Sequence, residues 1–516
     1  MQDHVAFWCA AIAPLMLTWP VYGAYAAAFL VALGALWLAS YGKNTGTLVL
    51  AAMITPVLYG FAIVWIGFES ATWALFADGL TATSILGISL CVTAYAIGNA
   101  SASNEVERYR MINLVALTWG SAYLISALVD GGFARYLLRN ESDGLVALAI
   151  IAAGIVSRTD RDPFPRFVGS ASVGIAALIL FHTLVGVPGL SPVQSDAELS
   201  MEHTYAIVDG VLAEGGSVAL FGVGPGGFAD AWNQYRPIDL GARDLPGVEP
   251  RKGHSLMLTI LIEHGLVMLV ACIGAVVWIL NRATAGGIVL AVASVAAIVA
   301  YSPTFPALVA LSLALGIATD QHGSVGLRYQ RFASVVSIAV FAPMATLIGA
   351  MMLCVAVYAH ILSEKDFIDL APGRAAAYID TIAPASLPFG VVRGARVALW
   401  QSYLSSRIAR GESLIVESDG VRHDLIAGLF SSIRDADRIR SGARLALQEA
   451  QMALWLAEQG DPSRLGDAYG RLSALLEEAP LNVVARELRA RIRAASGLQD
   501  SGEDARYVRE FGGSGE

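Results

Sequence analysis

The sequence predicts an all-α protein, a polytopic helical membrane bundle with a C-terminal helical extramembrane domain, on three observations. Hydrophobic residues make up 56% of the 516-residue chain and charged residues only 15%, where soluble domains carry about 45–50% and about 25%. The apolar excess, which gives a mean hydropathy of +0.59, is gathered in long runs. A bilayer demands this, because a backbone crossing hydrocarbon must satisfy its own polar groups and does so as a helix of roughly 20 residues. Beyond His360 the pattern changes to mixed polar and apolar residues at helical spacing.

The apolar runs predict eleven or twelve spans. Those that stand out cover residues 5–19, 21–40, 46–67, 79–98, 111–129, 144–157, 167–187, 255–280, 286–302, 305–319 and 333–361. The run 144–157 is short for about 30 Å of hydrocarbon. Tyr301-Ser-Pro-Thr-Phe-Pro306 reads as a tight connection between two spans. The first run passes into the second without a small-residue cleavage site, so no cleavable signal is expected. Cys9, Cys91, Cys272 and Cys354 all fall in apolar runs and read as small core residues, with no disulfide framework or metal site. The net charge of -9 argues against a nucleic-acid partner.

Basic residues in short loops set the expected orientation. Lys43, Arg108 and Arg110, Arg158, Arg161 and Arg166, Arg282, and Arg328 and Arg331 fall in alternate loops, and the short loops between carry only Arg135 and Arg139. The N-terminus is therefore expected inside. The long loop of about residues 188–254 and everything after about His360 are expected outside. The domain reading is residues 1–361 for the membrane part and 362–516 for the tail. In the tail, Leu447, Ala450, Leu454 and Ala457 share one helix face, and Leu472, Leu475 and Leu476 share the next. These read as helix-turn-helix units of a weakly tetratricopeptide-like kind, without the full 34-residue repeat pattern.

The chemistry-bearing residues concentrate in the long outer loop and the run that follows it. Gly222-Val-Gly-Pro-Gly-Gly-Phe228 is a glycine loop in which Gly222, Gly224 and Gly226 permit positive φ and close backbone approach. Its N–H groups could form an anion-binding concavity, or the glycines could serve the geometry of a turn alone. No βαβ pattern and no following Gly-Lys-Ser/Thr make it a nucleotide fingerprint. His254 follows Arg251, Lys252 and Gly253 at the start of an apolar helix. Neighbouring cations and the positive helix end favour an uncharged imidazole, which can accept a proton as a general base must. A helix-capping histidine is the alternative. Glu263 and His264 lie about 13 Å further along the helix, where ionisable groups should face the bundle interior. A structural pairing is the preferred reading of Glu263. His182 and His203 are further candidates for the same region.

Together, Gly222-Val-Gly-Pro-Gly-Gly-Phe228, His254-Ser255 and Glu263-His-Gly265 resemble the motifs of the O-antigen ligase and O-antigen polymerase superfamily of bacterial membrane glycosyltransferases. The resemblance covers about residues 200–280. It implies a metal-independent, cofactor-free transfer on the periplasmic face of the inner membrane. The donor it implies is a glycan on undecaprenyl diphosphate, and the acceptor is lipid A–core, another lipid-linked glycan or a protein side chain. His254 would deprotonate or position the acceptor hydroxyl. The family usually places one arginine in a Ser-Arg-Gly-like step, where this chain has Ser142-Asp143-Gly144. A second precedes the glycine loop, where this chain has Glu202-His203-Thr204. Arg135, Arg139, Arg236 and Arg251, with Arg243, are left to hold the donor diphosphate, a task that the forked guanidinium suits.

Two other classes compete. A transporter or flippase for a lipid-linked glycan would show repeated halves and ionisable residues paired at the midplane, whereas here the polar residues crowd one outer loop. A non-catalytic assembly protein would work through its helical tail, which could dock a protein partner under either reading.

Overall fold

The structure is a computed structural model. It describes residues 2–13, 23–41, 46–66, 72, 75, 81–101, 105–128, 141–156, 171, 173–179, 199–235, 250, 252–319, 327–363, 367, 369–384, 390–412, 415–418, 421–437, 443–458, 462–478, 480, 482–497 and 502–511. In chain order the helices are α1 (Gln2–Ile12), α2 (Gly23–Ser40), α3 (Gly46–Ile66), α4 (Ile85–Ser101), α5 (Glu105–Leu128), α6 (Glu141–Val156), α7 (Met201–Glu214), α8 (Gly216–Phe221), α9 (Phe228–Tyr235) and α10 (Leu256–Leu280). They continue as α11 (Ala285–Ala300), α12 (Phe305–Ile317), α13 (Leu327–Ser363), α14 (Pro372–Ile382) and α15 (Gly390–Ala409). After strands β1 (Ile415–Ser418) and β2 (Val421–Asp424) come α16 (Leu425–Asp437), α17 (Ala443–Glu458), α18 (Leu465–Glu478), α19 (Val483–Ala495) and α20 (Glu503–Phe511).

The fold is helical, as expected. β1 and β2 form a short antiparallel hairpin, pairing Ile415 with Asp424 and Ser418 with Val421. The reason is local: β-branched Ile415, Val416 and Val421 flank an Asp-Gly dipeptide, a hairpin-turn sequence. Among the described residues, three helices are long and apolar enough to cross a membrane: Thr47–Trp65, Leu256–Leu280 and Phe332–Tyr358. Shorter apolar helices occupy Tyr25–Ser40, Ile85–Ser101, Asp143–Val156, Ala285–Ala300 and Phe305–Ile317. Pro56 and Pro343 lie inside α3 and α13, a placement that membrane helices tolerate where neighbours satisfy the freed carbonyls.

The chain divides into two compact units. One comprises Met1–Ala197, His254–Met257 and Val267–His360, and the other Glu198–Gly253, Leu258–Leu266 and Ile361–Glu516. In the first unit α4 packs tightly on α12 because small residues let the backbones meet. A Cβ on Gly316 would overlap the Tyr95 carbonyl oxygen, and one on Gly98 would overlap that of Leu313. Buried polar groups fix the register: the Tyr95 hydroxyl pairs with Thr319 Oγ1 at 3.0 Å, and Asn99 Nδ2 donates to Thr319 Oγ1 at 3.2 Å. Gly316→Val is accordingly expected to destabilise the protein by about 3 kcal/mol or more, through overpacking against backbone that cannot yield. Thermal melting in detergent, compared with the exposed-glycine variant Gly60→Ala, checks this.

The same unit explains Asp143. Its buried carboxylate accepts from the Thr304 N–H at 3.2 Å and from the Thr304 hydroxyl at 2.9 Å. Thr304 is the N-cap of α12 and makes no cap bond with its own side chain, so Asp143 supplies an acceptor at that helix start. The expected tight connection is present: α11 ends at Ala300 and α12 begins at Phe305 with a proline in its first turn.

In the second unit α17, α18 and α19 share one apolar core containing Ala450, Leu454, Leu472, Leu475, Leu476, Leu488 and Ile492, with Leu447 and Ala457 packed against it. These include the two helix faces read from the sequence. Asn482 caps α19 by accepting from the Ala485 N–H at 3.0 Å. α20 is tied to α19 through buried Asp504, whose carboxylate receives Arg489 Nε and Nη2 at 2.7 Å each. That pairing raises the Arg489 pKa, chiefly through the hydrogen bonds to Asp504.

Candidate functional site

The segment that precedes α10 opens on a well-capped helix. Ser200 Oγ accepts from the His203 N–H at 3.2 Å, which sets the start of α7. The cap turns His203 and Thr204 inward, and both are buried. The His203 ring meets Trp232 of α9 edge-on, with ring centroids 6.2 Å apart. Trp232 and Phe228 are fully buried, so α7 and α9 share a small aromatic core. Their C-terminal ends are joined as well, by the Tyr235 hydroxyl donating to the Glu214 carboxylate. Burial, reinforced by that carboxylate, pushes the phenol pKa above its usual range and keeps it a donor.

The motif residues meet at a break in α10, one of the helices long and apolar enough to cross a membrane. α10 was expected to run unbroken from 255 to 280, but Gly265 interrupts it with φ 71 and ψ -172. Gly222, at the end of α8, adopts nearly the same conformation, φ 75 and ψ -172. The two glycines cross backbone on backbone. A Cβ on Gly222 would overlap the Glu263 carbonyl, and a Cβ on Gly265 would overlap that of Leu220. The break frees the carbonyls at the end of the first half of α10, and the glycine loop takes them up. Val223 N–H donates to Ile262 O at 3.0 Å and Gly224 N–H to Glu263 O at 2.9 Å. A buried carbonyl left unsatisfied costs a few kcal/mol, and more in hydrocarbon, so such compensation stabilises the break.

Glu263 completes the joint. Its buried side chain accepts from the Phe228 N–H at 3.3 Å, at the start of α9. A carboxylate there meets an orphan donor and the positive end of the helix dipole. The anion concavity considered for the loop does not form from its Val223, Gly224, Gly227 and Phe228 N–H groups. Gly227 donates to Gly224 O at 2.9 Å, and the other three bind α10. Gly224 and Gly226 keep positive φ within the turn.

His254 sits at the other end of the first half of α10. Gly253 is held by a hydrogen bond from its N–H to Thr259 Oγ1 at 3.0 Å. A Cβ there would come within 2.6 Å of the Thr204 methyl and 3.1 Å of the Phe228 ring. After it, His254 is partly exposed and Ser255 fully buried. Leu256 N–H then binds the Tyr301 carbonyl at 2.8 Å. The backbone on either side of His254 is thus pinned.

The structure brings together Gly222, Gly224 and Glu263 through the glycine loop, and places His203 against the α9 core. Arg135, Arg139, Arg236 and Arg251, with Arg243 and His182, lie outside the described residues. Among the described residues no group of three or more His, Cys, Asp or Glu side chains could hold a metal ion. Sequence reasoning missed Thr259 and Thr204, which fix Gly253. A lone hydroxyl in the apolar run Leu256–Ile262 was the available signal. No family model, curated protein or solved structure matches the chain.

Proposed function

We propose that the protein is a membrane glycosyltransferase that moves a glycan from undecaprenyl diphosphate to an acceptor hydroxyl, in the manner of O-antigen ligases and polysaccharide polymerases. The observation that carries this reading is the interlock at α10. Two motifs separated by about forty residues, the glycine loop and Glu263-His-Gly265, are joined by two backbone hydrogen bonds and one side-chain bond. They are the segments on which the resemblance was drawn, and their union braces the helix that begins just after His254.

In the proposed reaction the His254 imidazole takes the proton of the acceptor hydroxyl. The oxygen bonds to the anomeric carbon of the donor sugar as the bond from that carbon to the diphosphate oxygen breaks. The electron pair leaves on undecaprenyl diphosphate. The leaving group is already activated, so rate is gained through positioning and through compensation of the developing charge. Arg135, Arg139, Arg236 and Arg251 are the proposed source of that compensation. The setting is a bacterial inner membrane, crossed by eleven or twelve spans, with His254 facing the periplasm. The acceptor is lipid A–core or another glycan, and the helical tail is a docking place for a protein partner.

Purified protein in lipid vesicles, given undecaprenyl-diphosphate glycan and candidate acceptors, is expected to yield glycosylated acceptor and free undecaprenyl diphosphate in equal amounts. Movement of the lipid across the vesicle wall with no transfer to any acceptor would establish the transporter reading instead.

A further inference from the structure

The segment α8, Gly216–Phe221, has the sequence Gly-Ser-Val-Ala-Leu-Phe, carries no charge, and buries none of its six residues. Leu220 is 46% exposed. In water such a segment would gain nothing by leaving the adjoining apolar core. Its neighbour explains it. Leu220 and Phe221 lie directly on Gly265 of α10, and α10 is one of the helices long and apolar enough to cross a membrane. Leu266, immediately past the break and in the same unit as α8, is exposed as well, so the apolar surface of α8 and that of α10 at the break are exposed together.

Depth follows from the rise of the helix. Gly265 is nine residues past Leu256, or about 13 Å along the axis. The hydrocarbon core is about 30 Å thick. With the polar His254-Ser255 step at the interface, Gly265 lies well inside one leaflet, and Leu220 lies there with it. Irregular backbone survives at that depth only where its polar groups are satisfied. The hydrogen bonds from Val223 and Gly224 to the broken end of α10 meet that condition.

We propose that residues 216–227 are a re-entrant element whose exposed face is covered by bilayer acyl chains. The chain enters the leaflet at Gly215-Gly216, just past the carboxylate of Glu214, turns at Gly222 against the broken span, and returns through the glycine loop to α9. The outer loop is therefore anchored in lipid from within its own length. This inference rests on membrane insertion of α10 and not on glycan transfer, so each can fail without the other.

Nitroxide labels on the full-length protein in phosphatidylethanolamine–phosphatidylglycerol vesicles test it, in a background with the four native cysteines replaced. Labels are placed at Ser217→Cys and Leu220→Cys, with Val270→Cys as the lipid-facing reference and Asp209→Cys as the aqueous one, all on side chains that are exposed. The ratio of collisions with oxygen to collisions with a water-soluble nickel chelate is read at each. The label at Leu220 is expected to match that at Val270 and to exceed that at Asp209 roughly tenfold, because the chelate is excluded from hydrocarbon. The label at Ser217 should fall between, nearer the point of entry. An aqueous ratio at both Leu220 and Ser217 overturns the proposal, and either label decides it if the other variant fails to fold.

Discussion

Replacing His254 with Ala is expected to lower the rate of the proposed glycan transfer by about 10²–10⁴-fold, the usual contribution of a positioned general base. Melting of the variant is expected to remain a single cooperative transition, because two backbone bonds beside residue 254 persist without the imidazole. The two expectations together make the test specific. The backbone around His254 is held by Gly253 on Thr259 and by Leu256 on the Tyr301 carbonyl, and neither bond involves the imidazole. Loss of the side chain therefore leaves these two backbone bonds in place. A base acting in the transition state lowers kcat and kcat/KM together, whereas a group that only binds acceptor raises KM. Transfer by His254→Ala at the wild-type rate would remove the assignment, and a pure KM effect would reduce His254 to a binding residue.

What could be read from the sequence depended on how local the cause was. The bilayer constrains each span one at a time, so the apolar runs at 46–67, 255–280 and 333–361 announced helices that the structure contains. The Tyr301–Pro306 connection was legible for the same reason, since its prolines act within one turn. The tail helices showed their buried faces through Ala450, Leu454 and Leu472 because amphipathic spacing is also local. The misses have tertiary causes. Nothing near Asp143 in the chain shows that it serves Thr304, which lies 161 residues away. Composition likewise gives no sign that α10 breaks at Gly265, because the conformation is imposed by a second glycine, Gly222, arriving from another segment. Glycine, glutamate and histidine inside an apolar run marked the place but not the event. The hairpin at 415–424 was missed for a different reason: its signal is short and was outweighed by the helical pattern on either side.

Gly265→Ala is expected to destabilise the protein by more than about 4 kcal/mol, a size reserved for a few mechanisms, and three of them combine here. The φ of 71 with ψ of -172 belongs to a region essentially closed to residues with a side chain, at a strain of order 1–3 kcal/mol. The added methyl would overlap the Leu220 carbonyl, which is backbone and cannot rotate away. Relief by separation would break the bonds from Val223 and Gly224 to Ile262 and Glu263 and loosen the Phe228–Glu263 bond. Each is worth about 1 kcal/mol net in water, and leaving the carbonyls bare costs more at membrane depth. Gly222→Ala should behave the same way, because its conformation and its contacts mirror those of Gly265. The control lies on the same helix: a Cβ on Gly274 meets nothing within 4 Å, so Gly274→Ala should be neutral or slightly stabilising, since alanine is the better helix former. Melting of the three variants in detergent separates the alternatives. If Gly265→Ala melts with Gly274→Ala, the crossing of the two glycines is not what holds the broken helix.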